Sequence, residues 1–131
     1  YNVYGPSELE TGPYATLIGL YKKSMRHNLP LKVVSPGLQV RNFTHVYDIC
    51  KGLILVAEQG NGDGYGLGHA ENYSVFDVAK MFGGEIKMVP PRRGNRMSAE
   101  LLTSKSIALG WKPDQKLPNY ISKLKENGWK D

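Results

Sequence analysis

Val40-Arg-Asn-Phe-Thr-His-Val-Tyr-Asp48 joins a short extended segment to the clearest helix in the chain. Val40, Phe43 and Val46 are apolar, so this stretch is expected to be partly buried. Arg41 nevertheless sits among them, just after a Pro36-Gly37 turn. At the rim of a packed segment an arginine can grip two oxygens of one anion with its planar fork. It can equally lie along apolar surface with its head in water. The nine residues alone leave both readings open.

Downstream, Val46, Ile49, Cys50, Leu53, Ile54 and Ala57 repeat at helical spacing, which predicts a helix over 46–58 with those residues facing the core. Gly60-Asn-Gly-Asp-Gly64 ends it in a loop. Tyr65 to Leu67 reads as a weak strand. Ser74, with Asp77 three residues on, is expected to cap a helix running to Phe82 that Gly83-Gly84 closes. Glu85 to Val89 alternates as a strand does. Pro90 to Arg96 is a loop with three arginines. A short helix over 104–109 and a last one over 117–126, started by Pro118, complete the C-terminal part. Upstream, a helix is expected over 13–27, with Tyr14, Leu17, Ile18, Tyr21 and Met25 on its buried face and Lys22, Lys23 and Arg26 near its C-terminal end. A strand over 29–34 follows. Short strands interleaved with helices predict a single small mixed α/β lobe over residues 1–131.

With 131 residues, the chain can bury a real core. Its 40% hydrophobic and 22% charged content is that of an ordinary globular protein. No apolar run approaches the length of a membrane span, and the first residues of the sequence lack the basic and apolar regions of a signal peptide. Cys50 has no second cysteine to pair with, so a reducing, cytoplasmic setting is the default expectation. A formal charge of +5 favours an anionic partner. No nucleic-acid-binding motif or basic-aromatic face accompanies that charge. The chain opens without Met, on residues that read as a strand running into a turn. A fragment with a further upstream part is therefore expected.

Glycines at 60, 62, 64, 66 and 68 invite a dinucleotide reading, but no start gives Gly at i, i+2 and i+5. His27, His45 and His69 fall in different elements, which speaks against a metal site, and His45 fits a hydrogen-bonding role at a helix start. Anion binding remains, with Arg41 and the Arg92-Arg93 pair as its candidates. The arginine loop can also be simple solvated surface.

Several segments, in order, resemble the nucleotide-sugar epimerases and dehydratases of the extended short-chain dehydrogenase/reductase family, with UDP-glucose 4-epimerases the nearest subgroup. Arg41 to Asp48 resembles R-D-F-x-H-V-x-D. Asn2-Val-Tyr-Gly-Pro6 resembles N-x-Y-G-P, and Leu29-Pro-Leu-Lys-Val33 resembles P-L-x-V. Tyr65-Gly-Leu-Gly68 with Tyr73-Ser74, then Pro91 to Gly94, Thr103-Ser-Lys105 and Leu109-Gly-Trp111, resemble the closing motifs. The resemblance implies the small C-terminal substrate-binding lobe of such an enzyme, lacking most of the Rossmann domain. It implies that Arg41 and Arg92, with Arg93 beside it, hold the diphosphate of a nucleotide-sugar such as UDP-glucose or UDP-galactose, and that Asn2 contacts the same ligand. A dehydratase, a decarboxylase or a stand-alone binding module shares these features. NAD, in the intact family enzyme, would bind the missing Rossmann half and take a hydride from the sugar. The family's catalytic Tyr-x-x-x-Lys also belongs upstream of N-x-Y-G-P, so Tyr47 and Lys51, with Ser35 upstream, are not expected to be catalytic. Asn42 stands where the family has Asp, which removes a carboxylate that could orient Arg41.

Overall fold

A computed structural model of the chain describes residues 2–91, 94, 97, 98 and 100–131. In chain order the elements are β1 (Asn2–Tyr4), α1 (Leu17–Arg26), β2 (Leu31–Val34), β3 (Val40–His45), α2 (Val46–Gln59), β4 (Asn72–Ser74), α3 (Val75–Phe82), β5 (Ile86–Val89), α4 (Ser104–Ala108) and α5 (Leu117–Glu126). They form two small sheets. In the first, β3 is central, parallel to β1 and antiparallel to β4; in the second, β2 and β5 run parallel. Parallel pairing needs a crossover. Here α1 lies between β1 and β3, and α2 and α3 lie between β2 and β5.

The core is one cluster. Tyr4 and Phe43 from the first sheet meet Leu31 and Val33 from the second. Ile18 and Tyr21 of α1, Val78 and Phe82 of α3, and Leu117 and Ile121 of α5 close around them. The starts of α1, α2 and α3 are fixed by side-chain oxygen or nitrogen acceptors, which satisfy amides left unpaired at a helix N-terminus. The Asp77 N–H donates to Ser74 Oγ at 3.0 Å, and the Tyr47 N–H donates to His45 Nδ1 at 3.2 Å. At the other end of α3, Gly83 takes φ +76°, a left-handed cap that glycine adopts without strain.

Three expectations are corrected. Helix α1 begins at Leu17, not at Pro13, because Thr16 caps it: Thr16 Oγ1 accepts the Gly19 N–H at 2.9 Å. Residues 12–15 turn before it, and Tyr14 is exposed rather than core-facing. Residues 65–67 are irregular; the third strand of the first sheet is instead Asn72–Ser74. The apolar face chosen for α2 is largely outward, with Cys50, Leu53 and Ile54 exposed. The buried side carries Asp48 and Gly52. Asp48 Oδ2 accepts the backbone N–H groups of Asp114 and Gln115 at 3.2 and 2.9 Å, so this buried carboxylate fastens the turn before α5.

Candidate functional site

A cleft of about 430 Å³ opens between the first sheet and the start of α1. Asn2, Val3 and Phe43 line one side; Ala15, Thr16, Leu17 and Ile18 line the other. Its volume falls in the range of small-molecule sites. Asn2 and Phe43 are register partners across the parallel β1–β3 pairing. Side chains alternate along a strand, so Arg41 lies on the same face of β3 as Phe43, one step nearer β4 and opposite Tyr73. By this alternation Asn2 and Arg41 share a sheet face, and of the two Asn2 lines the cleft. Arg41 is half-buried, and its guanidinium donates to the Val40 carbonyl at 2.8 Å. Arg92 and Arg93, the other candidate residues, lie outside the described residues.

The far wall was not legible as a site. The start of α1 faces this cleft; its first turn contains no acidic residue, and the Glu8 carboxylate stands on its capping Thr16. Gly19 lets the loop before α1 pack tightly. A Cβ there would lie 2.3 Å from the Leu9 carbonyl oxygen, while the Thr16 N–H donates to that same oxygen at 3.0 Å.

Asn42 is explained by its own contacts. It points to the opposite face of β3 from Arg41, is nearly buried, and donates from Nδ2 to the His69 carbonyl at 3.0 Å. A carboxylate at 42 would face that carbonyl rather than steer Arg41.

The glycine-rich segment after α2 does not fit a dinucleotide. Gly62 and Gly64 adopt φ of +75° and +82° in an exposed loop, and β4 follows rather than a helix. Its carbonyls are turned toward a cation: Lys105 Nζ donates to Asn61 O at 3.2 Å and to Asp63 O, and lies 4.4 Å from the Tyr65 ring centroid. NAD therefore has no cradle in this loop. Lys51 lies 3.4 Å from Asp114 and 3.8 Å from Asp48, and Tyr47 is exposed with its ring against His45. Among the described residues no group of three or more His, Cys, Asp and Glu could hold a metal, and no helix is long and apolar enough to cross a membrane.

These features define a small mixed α/β fold with a cleft between the first sheet and the start of α1. The model of the NAD dependent epimerase/dehydratase family matches residues 1–68, just over half of the 131, and the chain belongs to that family. Among known proteins it is similar to one from Methanocaldococcus jannaschii provisionally named UDP-glucose 4-epimerase, with 28% identity over 129 residues, 94% of this chain and 42% of that protein. Among solved structures, the UDP-glucose 4-epimerase of Thermotoga maritima with UDP-glucose superposes with a TM-score of 0.83 at 24% identity, covering 96% of this chain and 44% of that one. The UDP-N-acetylglucosamine 4-epimerase of Methanobrevibacter ruminantium M1, in complex with UDP-N-acetylmuramic acid, gives a TM-score of 0.84 at 22% identity, covering 97% and 42%. The structural likenesses establish the fold. The chain spans less than half the length of each of these relatives.

Proposed function

We propose that this chain is the substrate-holding lobe of an NAD-dependent nucleotide-sugar epimerase of the UDP-glucose 4-epimerase kind. The observation that supports the reading is the cleft lined by Asn2 and the start of α1, with Arg41 on the same strand as the lining residue Phe43, two positions away. Arg41 and, from the resemblance, Arg92 with Arg93 hold the diphosphate; Asn2 and the first turn of α1 hold the rest of the ligand. Two arginines on separate segments can close on a diphosphate from both sides. The lobe's contribution to catalysis is orientation.

The redox step belongs to a dinucleotide-binding half of the same enzyme. Two surfaces suit such a neighbour. Strand β1 pairs only with β3 among the described strands, leaving its other edge open, and α2 exposes Tyr47, Cys50, Leu53 and Ile54.

The reading is tested by calorimetric titration of the chain with UDP-glucose, beside Arg41→Ala and Arg92→Ala. Each lost charge-assisted contact is worth about 1.5–3 kcal/mol, so affinity is expected to fall roughly 10- to 100-fold in each variant. Binding that neither substitution weakens overturns the reading.

A further inference from the structure

We infer that the C-terminal strap, residues 127–131, is a positioning device for the cleft wall. The strap begins where α5 ends at Glu126. Trp129 stacks on Phe82 of the core with ring centroids 5.3 Å apart, and its carbonyl accepts from Arg26 at 3.1 Å. This brings Asp131 onto α1, where Lys22 Nζ donates to both of its carboxylate oxygens at 2.8 Å. Lys22 is completely buried. Asp131 also accepts the Ser7 N–H at 3.2 Å and the Tyr120 hydroxyl at 2.6 Å.

From Lys22 the contacts run to the cleft. Its Nζ lies 3.6 Å from both Glu8 and Glu10, and Glu10 is held in turn by Arg26. Glu8 accepts from Thr16 Oγ1 at 2.8 Å, and Thr16 both caps α1 and lines the cleft. The loop from Ser7 to Ala15 is thus held on one side by a cluster of two cations and three carboxylates, and forms part of the cleft wall on the other.

A core made only for stability would not need this. Replacing a buried ion cluster by well-packed apolar residues is often neutral or stabilising, whereas an ion cluster requires one geometry. Position 22 faces inward on α1, beside Ile18 and Tyr21, where an apolar residue would serve packing. The charge at 22 instead fixes where the loop stands against α1, and hence the shape of the wall that meets the ligand. That the ligand is a nucleotide-sugar rests on the function proposed above; the strap's hold on the loop does not.

The test is amide hydrogen exchange by NMR on the full 131-residue chain, comparing wild type with Asp131→Asn and with the Lys22→Met, Glu8→Gln double variant, which leaves no lone buried charge at these two positions. Exchange at Thr16 and Gly19 is expected to rise at least about tenfold, while Leu31 and Ser35, whose N–H groups bond to Glu85 and Val89, keep their rates. UDP-glucose affinity should fall by a comparable factor. Unchanged exchange at Thr16 and Gly19, an equal rise at all four amides, or a loosened wall with undiminished affinity overturns the inference. A wild type that does not bind UDP-glucose overturns the functional reading instead, and the exchange pattern alone then decides the strap.

Discussion

Trp111 donates its indole N–H to the Asp48 carbonyl at 2.9 Å, and it reaches that carbonyl over Gly52, where any side chain would stand in the way. A Cβ at 52 would lie 2.8 Å from the indole nitrogen and 2.6 Å from Leu67. The contact fastens the segment before α5 to α2 and so closes the C-terminal part of the lobe.

Gly52→Ala is therefore expected to destabilise the chain, although alanine suits a helix better by about 1 kcal/mol. Overpacking costs about 1–3 kcal/mol and outweighs that gain. Thermal unfolding followed by circular dichroism should show a lowered midpoint; an unchanged or raised one would mean that Trp111 gives way freely.

Asn42→Asp restores the residue that the family motif has at this position, yet it is expected to destabilise. The amide now donates to the His69 carbonyl, and a carboxylate there would be a nearly buried acceptor facing another acceptor. The cost is about 1–3 kcal/mol. Denaturant titration measures it, and equal or greater stability of the variant would refute this account of Asn42.

His45 makes stability depend on pH. Burial holds its imidazole below the ordinary value, and Nδ1 must stay unprotonated to accept the Tyr47 N–H. The unfolded chain is free to protonate it near pH 6.5. The folded state therefore binds fewer protons. The contribution is complete above about pH 6.5 and is lost as pH falls toward the lower folded value. His45→Asn keeps a capping acceptor and should remove this part of the slope below about pH 6.5. Identical melting-temperature profiles for the two chains would rule the effect out.

Much of the fold was legible in the sequence because local chemistry agreed with it. Ser74 with Asp77, Gly83 and Pro118 mark helix ends at or within a residue of those observed. The buried face of α2 was not legible for a physical reason. Its apolar residues lie on nearly every side, so periodicity could not select one, and the seam is marked instead by Asp48 and Gly52, one turn apart. The start of α1 was misread because Pro13 is a good first helical residue, while Thr16 supplies the actual cap. Of the proposed site, Asn2 and Arg41 come from the resemblance to family motifs, and of these Asn2 lines the cleft. Ala15 to Ile18 were not, because they become a cleft wall only when the loop held by Glu8 and Lys22 packs on α1.

The account also requires that the chain alone not interconvert UDP-glucose and UDP-galactose when NAD is supplied, because its glycine loop offers no cradle for the dinucleotide. Epimerisation by the purified 131-residue chain would contradict that division of labour.

The most direct test of the central claim is a titration of the isotopically labelled chain with UDP-glucose, followed by amide chemical shifts. The account predicts saturable shifts concentrated at Val3, Thr16, Leu17, Ile18, Arg41 and Phe43, with β2 and β5 unmoved. Saturable shifts confined to another face, or none in a folded chain, would contradict it.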